Sequence, residues 1–501
     1  MEKGGKMMEK GGKMMEKGDM TLKELVVKAL GNVVGEENVL GGEDSISSAT
    51  PTMLFRLERA YDDFEMKYKP LCIVKVHSRE EAAEVLKYCN ENDIHVIGRT
   101  GASSSEDQLR VIDDRTIYLD GSEMNQIISV DEKNMMATVQ CGVPLRELEE
   151  KVNAMGLTTG HCPQSQPLAS MGGLVATRSI GQFSTYYGGI EDMVCGLEAV
   201  LPDGTVFRIR PVPRRAAGPD LRHLVIGSEG AFVFITEVTV KLFRYYPEEM
   251  WKGGYIVKDF RMGIDVIREV IVKGYKPSVV RLYDKADTDA NYGSVELSDD
   301  EAFMFFSVEG PKAITEVHGK AIHEIALAHG AKYIGTKAVD HWFETRNNLC
   351  NTIGKEEEYK KFRETKSVYA TVEVCADWEQ IAEVYDEVMR TLPERNPNLT
   401  MLGGHVSHSY MNGTNIYFVY SFKCKDPGNV TAENYEIMDA LCDVMLKYDT
   451  ATIVHHHGIG KLRVKRVKEE LGSSYPLLKM LKQMLDPKGI MNPGCLIPKE
   501  E

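Results

Sequence analysis

The sequence predicts an α+β protein, and two features of the residue pattern lead to that class. Between residues 70 and 120, short apolar runs of strand length alternate with a stretch of helical spacing. From about residue 248, strand and helix patterns alternate again over a longer stretch, which is typical of an antiparallel sheet with helices on one face. Because 501 residues exceed one ordinary hydrophobic core, we expect several domains.

The first 65 residues precede this pattern. Residues 1–20 repeat a Met-Glu-Lys-Gly-Gly-Lys-Met unit and predict a disordered tail. Residues 21–65 carry Leu22, Leu25, Val26 and Leu30 at helical spacing and predict an N-terminal helical segment.

A βαβ unit opens the next domain, which we place at residues 66–247. An apolar strand at 71–76 is followed by Ser78-Arg79-Glu80-Glu81, a capping box that predicts a helix start. A second strand at 94–97 leads into a loop of small residues at 98–105. Ligands tend to bind at such loops, at the carboxyl ends of strands.

The remaining elements follow from the same patterns. An Asp203-Gly204 turn predicts a hairpin at 200–206. We place a second domain at 248–455 and a helical C-terminal segment at 456–501. The other predicted strands lie at 117–120, 136–141, 278–282, 302–309, 368–374 and 415–422, and the other helices at 145–154, 263–273, 314–328 and 378–392.

Composition narrows the functional class. A net charge of −15 argues against a general nucleic-acid or anionic-membrane binder. The chain has no apolar run of the ~20 residues that a transmembrane helix needs, and no secretory signal. Its ten cysteines form no CxxC pair, which suits reduced thiols. We therefore expect a soluble, cytoplasmic protein.

Three glycine-containing segments follow one another along the chain, at 98–105, 171–178 and 226–231. Small residues let the backbone approach a large ligand and aim its amides at phosphate oxygens. Each segment alone could equally be an ordinary turn. The sequence contains neither GxGxxG nor GxxxxGKS, which argues against ordinary nicotinamide and P-loop sites.

Three consecutive histidines, His455, His456 and His457, precede Gly458 and Gly460. Their ordinary pKa of roughly 6.5 suits proton transfer near neutral pH. If the run is extended, His455 and His457 point one way and His456 the other. A surface cluster without a function is the alternative interpretation.

The order of these motifs resembles that of the vanillyl-alcohol oxidase (PCMH) type of FAD-binding flavoproteins, and within them the alkyldihydroxyacetonephosphate synthases. The resemblance covers residues 66–501 and implies a two-subdomain PCMH-type FAD-binding domain with an α+β substrate cap. The motifs that carry it are Thr159-Gly160-His161, Gly172-Gly173 through Thr177-Arg178, Tyr187 to Asp192, Gly227-Ser228-Glu229-Gly230, Val280-Arg281-Leu282 and His455 to Arg463.

The resemblance implies non-covalent FAD. Thr100 and Ala102 interrupt the three glycines that the family has in its first loop, and Phe232 is bulkier than the family's residue. Related oxidases attach FAD through a cysteine in a Gly-x-Cys-Pro segment, but the spacing from Cys162 to Gly172 is too long for that arrangement. The implied cofactor residues are Gly98, Arg99, Thr100, Gly101, Ala102, Ser103, Ser104, His161, Pro163, Gly172, Gly173, Thr177, Arg178, Glu229, Gly230, Ile235 and Asn492.

The resemblance also implies substrate residues. Arg281 would grip an anionic group and Arg363 would be a second substrate arginine, whereas a surface salt bridge is the plain alternative for Arg281. Tyr417 would be the acid or base beside the reacting carbon, unless it is only a core tyrosine. The three histidines would position substrate and move protons.

The implied function is that of a synthase-like flavoenzyme. Flavin N5 would act on a small anionic substrate, a phosphate or carboxylate, with a fatty-acyl or fatty-alcohol co-substrate and no net redox change. The alternative is hydride removal from a hydroxy acid or alcohol with His457 as base. A non-catalytic FAD-binding scaffold is a third class.

A metal is not part of this assignment. A rival interpretation is a nitrogen-rich metal site that His405, His408 and His456 would form, by analogy with the metal-binding hydroxyacid dehydrogenases of the superfamily. The sequence leaves the oligomeric state open, with a homodimer as one option.

Overall fold

A computed structural model describes residues 20–42, 55–58, 60–61 and 67–499. Helix α1 (Leu22–Val34) begins at a capping box in which the Glu24 amide donates to Thr21 Oγ1 at 3.3 Å. Helix α2 is Phe55–Glu58. The predicted tail, apart from Met20, and residues 43–54, 59 and 62–65 of the predicted helical segment lie outside the described residues.

The first sheet has four strands in the order β1-β2-β4-β3, with β2, β4 and β3 parallel. Helix α3 (Arg79–Glu91) connects β2 to β3 and starts where Ser78 Oγ accepts from the Glu81 amide at 3.2 Å. The loop of small residues follows β3 directly, as the βαβ interpretation requires. The strands are β1 Val39–Leu40, β2 Ile73–Lys75, β3 His95–Arg99 and β4 Thr116–Asp120.

The second sheet has five antiparallel strands in the order β5-β6-β10-β8-β9. The predicted hairpin joins β8 to β9 through Gly204, whose φ of 86° suits glycine. The strands are β5 Ile127–Asp131, β6 Met136–Gln140, β8 Val194–Val200, β9 Val206–Ile209 and β10 Phe234–Lys241, and β7 (Leu157–Thr158) pairs with β11 (Phe243–Arg244). The helices between them are α4 Leu145–Asn153, α5 Met171–Ala176, α6 Ser184–Tyr187 and α7 Ile190–Met193.

The third sheet is antiparallel and has the order β15-β12-β14-β13-β17-β19-β16, with β18 beside β19. Its strands are β12 Trp251–Val257, β13 Val279–Tyr283, β14 Ala302–Val308, β15 Lys332–Gly335, β16 Ser367–Asp377, β17 Leu399–Val406, β18 Ser409–Tyr410 and β19 Gly413–Lys423. Its helices are α8 Phe260–Val272, α9 Lys285–Asn291, α10 Lys312–Ala328, α11 Lys337–Thr345, α12 Glu356–Thr365, α13 Ile381–Arg395 and α14 Val430–Met445. Side chains of the second and third sheets share one buried core.

The C-terminal segment, predicted as helical over 456–501, is helical only in part, in α15 (Val467–Leu471) and α16 (Tyr475–Leu485). Beyond α16 the chain returns to the first sheet. There the Val96 amide donates to Ile490 and the Asn492 amide donates to Val96, both at 2.8 Å. Within the described residues, every helix is too short or too polar to cross a lipid bilayer.

Candidate active site

The three glycine-containing segments converge on one cavity of about 1100 Å³. The loop after β3, helix α5 and the loop before β10 form one part of its wall, and the third sheet contributes Arg281 and Tyr417, beside His456 and His457. The predicted cofactor residues in this wall are Gly98, Arg99, Thr100, Gly101, Ala102, Ser103, Ser104, Pro163, Gly172, Gly173, Thr177, Glu229, Gly230 and Ile235.

Close packing explains the small residues in the first two segments. A Cβ atom on Gly101 would lie 2.3 Å from the Leu168 carbonyl oxygen, and one on Gly172 would lie 2.6 Å from the Cβ of Cys141. Ser104 Oγ is buried without a hydrogen-bond partner among the described residues. Because buried polar groups are normally paired, this hydroxyl fits a polar ligand such as the diphosphate of FAD.

Three predicted cofactor residues do not line the cavity. His161 is buried, which lowers its pKa to about 3, and its Nε2 lies 3.3 Å from Ser179 Oγ. The Arg178 side chain is mostly exposed and pairs with Glu191 at 3.2 Å. Asn492 Nδ2 donates to the Glu229 carbonyl at 2.8 Å, so Asn492 positions the third glycine segment.

Glu229 links the third segment to the turn after the histidine run. Its φ is 49°, and its carboxylate accepts the amides of Ile459 at 2.9 Å and Gly460 at 2.8 Å. Burial raises the pKa of Glu229 to about 6, although these hydrogen bonds act in the opposite direction. Glu229 is therefore mostly ionised at neutral pH and accepts both amides of the turn.

The histidine run forms a bend, not an extended strand. His456 and His457 both line the cavity and His455 does not, so the alternation expected of an extended run does not apply. The cause is Glu373 on β16, whose Oε1 accepts the amides of both His456 (3.1 Å) and His457 (2.7 Å). Sequence analysis missed this residue.

Glu373 belongs to a buried group of four charged side chains. Arg463 Nη2 lies 3.0 Å from its Oε2, and Glu106 lies 3.4 Å from Arg463 and 3.5 Å from His457. Although burial acts to raise it, the pKa of Glu373 is held well below its ordinary value by the charges of Arg463 and His457. Two carboxylates and two cations thus balance one another.

The same charges set the state of His457. Burial favours its neutral form, but Glu373, with its carboxylate 2.8 Å from Nδ1, raises the pKa of His457 well above the ordinary value. His457 is therefore a cation at neutral pH and does not suit the role of base. Burial lowers the pKa of His455 to about 4 and that of His456 well below 6.5, so both are neutral.

Tyr417 lies beside His457. The register of the third sheet pairs Tyr417 with Glu373 on one side and with His405 on the other, so these three side chains share a face. Tyr417 Oη is 3.2 Å from His457 Nε2 and accepts a hydrogen bond of 3.2 Å from Thr371. The Tyr417 hydroxyl can therefore hold or pass a proton at the cavity wall.

Arg281 is the unpaired cation of this wall. The residue is 4% exposed, and its guanidinium makes no hydrogen bond or salt bridge with the described residues. Its guanidinium lies 5.1 Å from the centre of the Trp342 ring. Arg346 approaches the same ring at 5.6 Å but donates to Gln182.

Two other predicted residues lie away from the wall. Arg363 forms an ion pair with Glu356 and donates to the Ala60 carbonyl at 2.9 Å, so the structure does not bring it to the cavity. The Cys162 thiol lies 3.4 Å from Arg346 and does not line the cavity, and burial raises its pKa.

Comparisons with known proteins agree with this geometry. Residues 70–210 match the family described as FAD binding domain, and residues 253–496 match the C-terminal domain of FAD linked oxidases. The chain is 42% identical over 483 residues to YgcU of Escherichia coli (strain K12), an uncharacterized FAD-linked oxidoreductase, covering 95% of this chain and 99% of that protein.

Two further proteins are more distant. The alkyldihydroxyacetonephosphate synthase of Dictyostelium discoideum is 27% identical over 468 residues, which cover 87% of this chain and 75% of the synthase. The structure of p-cresol methylhydroxylase with substrate bound superposes with a TM-score of 0.73 at 16% identity, covering 96% and 98% of the two chains. This superposition confirms the predicted PCMH-type fold.

Both halves of the chain, its cavity and its relatives thus agree on the cofactor. The protein belongs to the family of FAD-linked oxidoreductases, in which an FAD binding domain is joined to a C-terminal FAD linked oxidase domain.

Proposed function

We propose that the protein oxidises a small anionic substrate, a hydroxy acid or a phosphorylated alcohol, in an FAD-dependent reaction. The observation that supports this most is the presence of an unpaired buried arginine and a tyrosine–histidine pair, Arg281 and Tyr417–His457, in the wall of the FAD cavity. Bound FAD supplies the two-electron chemistry.

The cofactor would be held by the first part of the wall. Amides of residues 98–104 and the Ser104 hydroxyl would donate to its diphosphate, and the backbone at Gly172 and Gly173 permits close approach. Asn492 and Glu229 would act indirectly, by holding the loop before β10 in place.

Arg281 would bind the anionic group of the substrate. A buried, unpaired guanidinium is costly, and a carboxylate or phosphate that fits its fork offsets that cost with charge-assisted hydrogen bonds. Trp342 keeps the guanidinium plane in place from one side. The anion therefore orients the rest of the substrate in the cavity.

Tyr417, in its phenolate form, would accept the proton of the substrate hydroxyl and become a neutral phenol. The cationic His457 can donate a hydrogen bond from Nε2 to Tyr417 Oη and so stabilise the phenolate before it takes up that proton. Glu373 fixes the ring of His457 through Nδ1 at 2.8 Å. His457 thus acts as an electrostatic partner of Tyr417 and not as the base.

A synthase-like group exchange is the second candidate. It is favoured by the apolar part of the cavity wall, which could take a fatty chain and includes Leu168, Leu349 and Ile353. In that reaction Tyr417 would remove a proton from the carbon that exchanges its substituent, with no net oxidation.

Anaerobic titration separates the candidates. Glycolate, D-lactate, L-lactate and glycerol 3-phosphate are added in turn to the FAD-loaded protein while the flavin band is recorded. The oxidation proposal expects bleaching by at least one of them, at a rate that Tyr417→Phe lowers on the order of 10²-fold. Bleaching that Tyr417→Phe leaves unchanged would contradict the role of Tyr417. Turnover of an acylated dihydroxyacetone phosphate without bleaching would favour the second candidate.

A further inference from the structure

His405 is an imidazole of the cavity wall that the proposed reaction does not use. Its Nδ1 lies 2.6 Å from Oδ2 of Asp287 on α9. Asp287 is itself fixed, because its Oδ1 accepts from Asn291 Nδ2 at 2.6 Å and its amide donates to Asp284 Oδ1 at 2.9 Å. The ring of His405 is therefore held in one orientation.

The contact with Asp287 also determines which ring nitrogen of His405 carries a proton. A carboxylate only accepts hydrogen bonds, so Nδ1 donates. Burial lowers the pKa of His405, although Asp287 acts in the opposite direction, and the ring is neutral at neutral pH. Nε2 is then a hydrogen-bond acceptor, and among the described residues it has no hydrogen-bond partner. His405 thus offers one acceptor atom to a ligand in the cavity.

His405 lies between the two residues that we assign to the substrate, Arg281 and Tyr417. The register of the third sheet pairs His405 with Tyr283 on one side and with Tyr417 on the other, and its ring centre is 5.0 Å from each of theirs. Arg281 precedes Tyr283 by two positions on β13, so it lies on the same face. It is therefore a diagonal neighbour of His405, about 7–8 Å away along the backbone, and one strand further from Tyr417.

The charge of Arg281 limits the kind of group that can meet His405 Nε2. This charge acts on the imidazole, since it contributes to the lowered pKa of His405. A second cation, such as an ammonium group, is disfavoured in that position. A carbonyl oxygen is also disfavoured, because it would face the lone pair of Nε2. A neutral hydroxyl, which can donate, fits both conditions.

We infer that the substrate carries a further hydroxyl between its anionic group and the hydroxyl that is oxidised, and that this middle hydroxyl donates to His405 Nε2. We make this inference on the basis of the proposed function, in which Arg281 binds the anion and Tyr417 meets the reacting hydroxyl. The substrate class is then that of polyhydroxylated acids or phosphates. Glycerate and glycerol 3-phosphate are its smallest members, whereas glycolate and lactate lack the middle hydroxyl.

The same acceptor disfavours the group-exchange candidate. Dihydroxyacetone phosphate has a carbonyl at the carbon next to its phosphate-bearing carbon. Its oxygen and His405 Nε2 would be two acceptors without a proton between them, and an unpaired polar contact of this kind weakens binding. His405 therefore acts as a specificity residue that selects a hydroxyl over a carbonyl.

The test measures binding to the full chain after its FAD has been reduced chemically without oxygen, because reduced flavin cannot oxidise the ligand. Calorimetry compares both enantiomers of glycerol 3-phosphate with 3-hydroxypropyl phosphate, which lacks the middle hydroxyl, and with dihydroxyacetone phosphate. Glycerate and 3-hydroxypropanoate form the matching pair with a carboxylate. The proteins are the wild type, His405→Phe and His341→Phe. His341 is the control, because it is an exposed imidazole of the same wall.

In the wild type and in His341→Phe, the ligand with the middle hydroxyl should bind about 10-fold more tightly than its deoxy partner in at least one pair. Dihydroxyacetone phosphate should bind no more tightly than 3-hydroxypropyl phosphate. His405→Phe keeps an aromatic ring between the two tyrosines but removes the acceptor, so the advantage of the hydroxyl should fall below about 2-fold.

Equal binding of both members of each pair by the wild type, or no binding of any hydroxylated ligand, would overturn the inference. An advantage that a folded His405→Phe retains would also overturn it. The comparison of ligands in the wild type is decisive even if His405→Phe does not fold.

Failure of the proposed function would give a different result. The ligands would then leave the oxidised flavin band unbleached, while the reduced protein still preferred the middle hydroxyl. Bleaching of the flavin without any such preference would support the proposed function and overturn only the role of His405.

Discussion

The carboxylate of Glu373 binds His457 twice, because Oε1 accepts the backbone amide at 2.7 Å and Oε2 lies 2.8 Å from the ring nitrogen Nδ1. One acidic side chain therefore sets both the path of the backbone and the charge of the imidazole. It does so from the strand position directly paired with Tyr417. The third sheet thus holds His457 beside Tyr417 through Glu373.

Replacing Glu373 by Gln should be strongly destabilising. The substitution leaves Arg463 and His457 buried with one carboxylate between them, and breaking buried pairs in this way costs about 3–5 kcal/mol. Urea unfolding measures the loss. Glu379→Gln, a change of the same type at an exposed position, should stay within about 0.5 kcal/mol of the wild type. Equal effects of the two substitutions would refute the buried charge balance.

Replacement by methionine should change the free energy of unfolding in opposite directions at Arg281 and at Arg463. Arg281 is buried without a hydrogen bond to the described residues, so Arg281→Met should raise the free energy of unfolding by about 1–3 kcal/mol. Arg463 is buried between two carboxylates, so Arg463→Met should lower it by about 3–5 kcal/mol. Thermal unfolding of the two variants without added substrate compares them. A destabilised Arg281→Met would mean that Arg281 has a structural role.

Ala102 occupies a position that favours glycine. Its φ of 51° lies in the left-handed region, which costs a residue with a Cβ about 1–2 kcal/mol. Ala102→Gly should therefore stabilise the folded protein by about 0.5–1 kcal/mol, after the larger entropy of the unfolded glycine chain is subtracted. Ala216→Gly in an exposed loop provides the reference and should be neutral or slightly destabilising. Chemical unfolding with saturating FAD is the measurement.

Glu229 should make stability depend on pH. Its folded-state pKa of about 6 exceeds the ordinary 4.5, so its contribution is fully present below pH 4.5 and is lost as the pH rises through 6. Between pH 7 and pH 5 the wild type should gain about 1 kcal/mol relative to Glu229→Gln, which lacks the titrating group. Unfolding free energies at both pH values test this. A constant difference between the two proteins would show that Glu229 does not titrate in this range.

Local patterns were sufficient to predict many elements of the fold. The N-cap Ser78 starts α3, although the Glu81 side chain accepts from the His77 amide and so does not complete the predicted capping box. The Asp203-Gly204 turn joins β8 to β9, and a strand follows α3 close to the predicted position. Tertiary hydrogen bonds explain what the sequence could not show. The bend at His456 follows from the carboxylate of Glu373, which lies 83 positions earlier in the chain.

In the candidate site, too, some residues could be predicted from local patterns and others depend on tertiary contacts. Small-residue segments were recognisable as candidate ligand loops, each of which could also have been an ordinary turn, and all three reach the cavity. Glu106 and Glu373 were missed, because a single acid within a loop or strand has no local signature of a buried partner. The apolar neighbours of Glu373 on β16 were the available signal, since an acid amid alternating buried residues needs a partner.

FAD content tests most directly whether the three glycine-containing segments together form one FAD site. Gly173 lines the cavity, and a Cβ there would lie 3.3 Å from Thr100 Oγ1. Gly173→Leu should therefore fill space that FAD needs in the cavity. Gly293→Leu is the control, because a Cβ at Gly293 would lie in open space. We expect one releasable FAD per chain in the wild type and in Gly293→Leu, and about a tenth or less in a folded Gly173→Leu. A colourless wild type that takes up no added FAD, or a Gly173→Leu variant with full FAD content, would contradict the account.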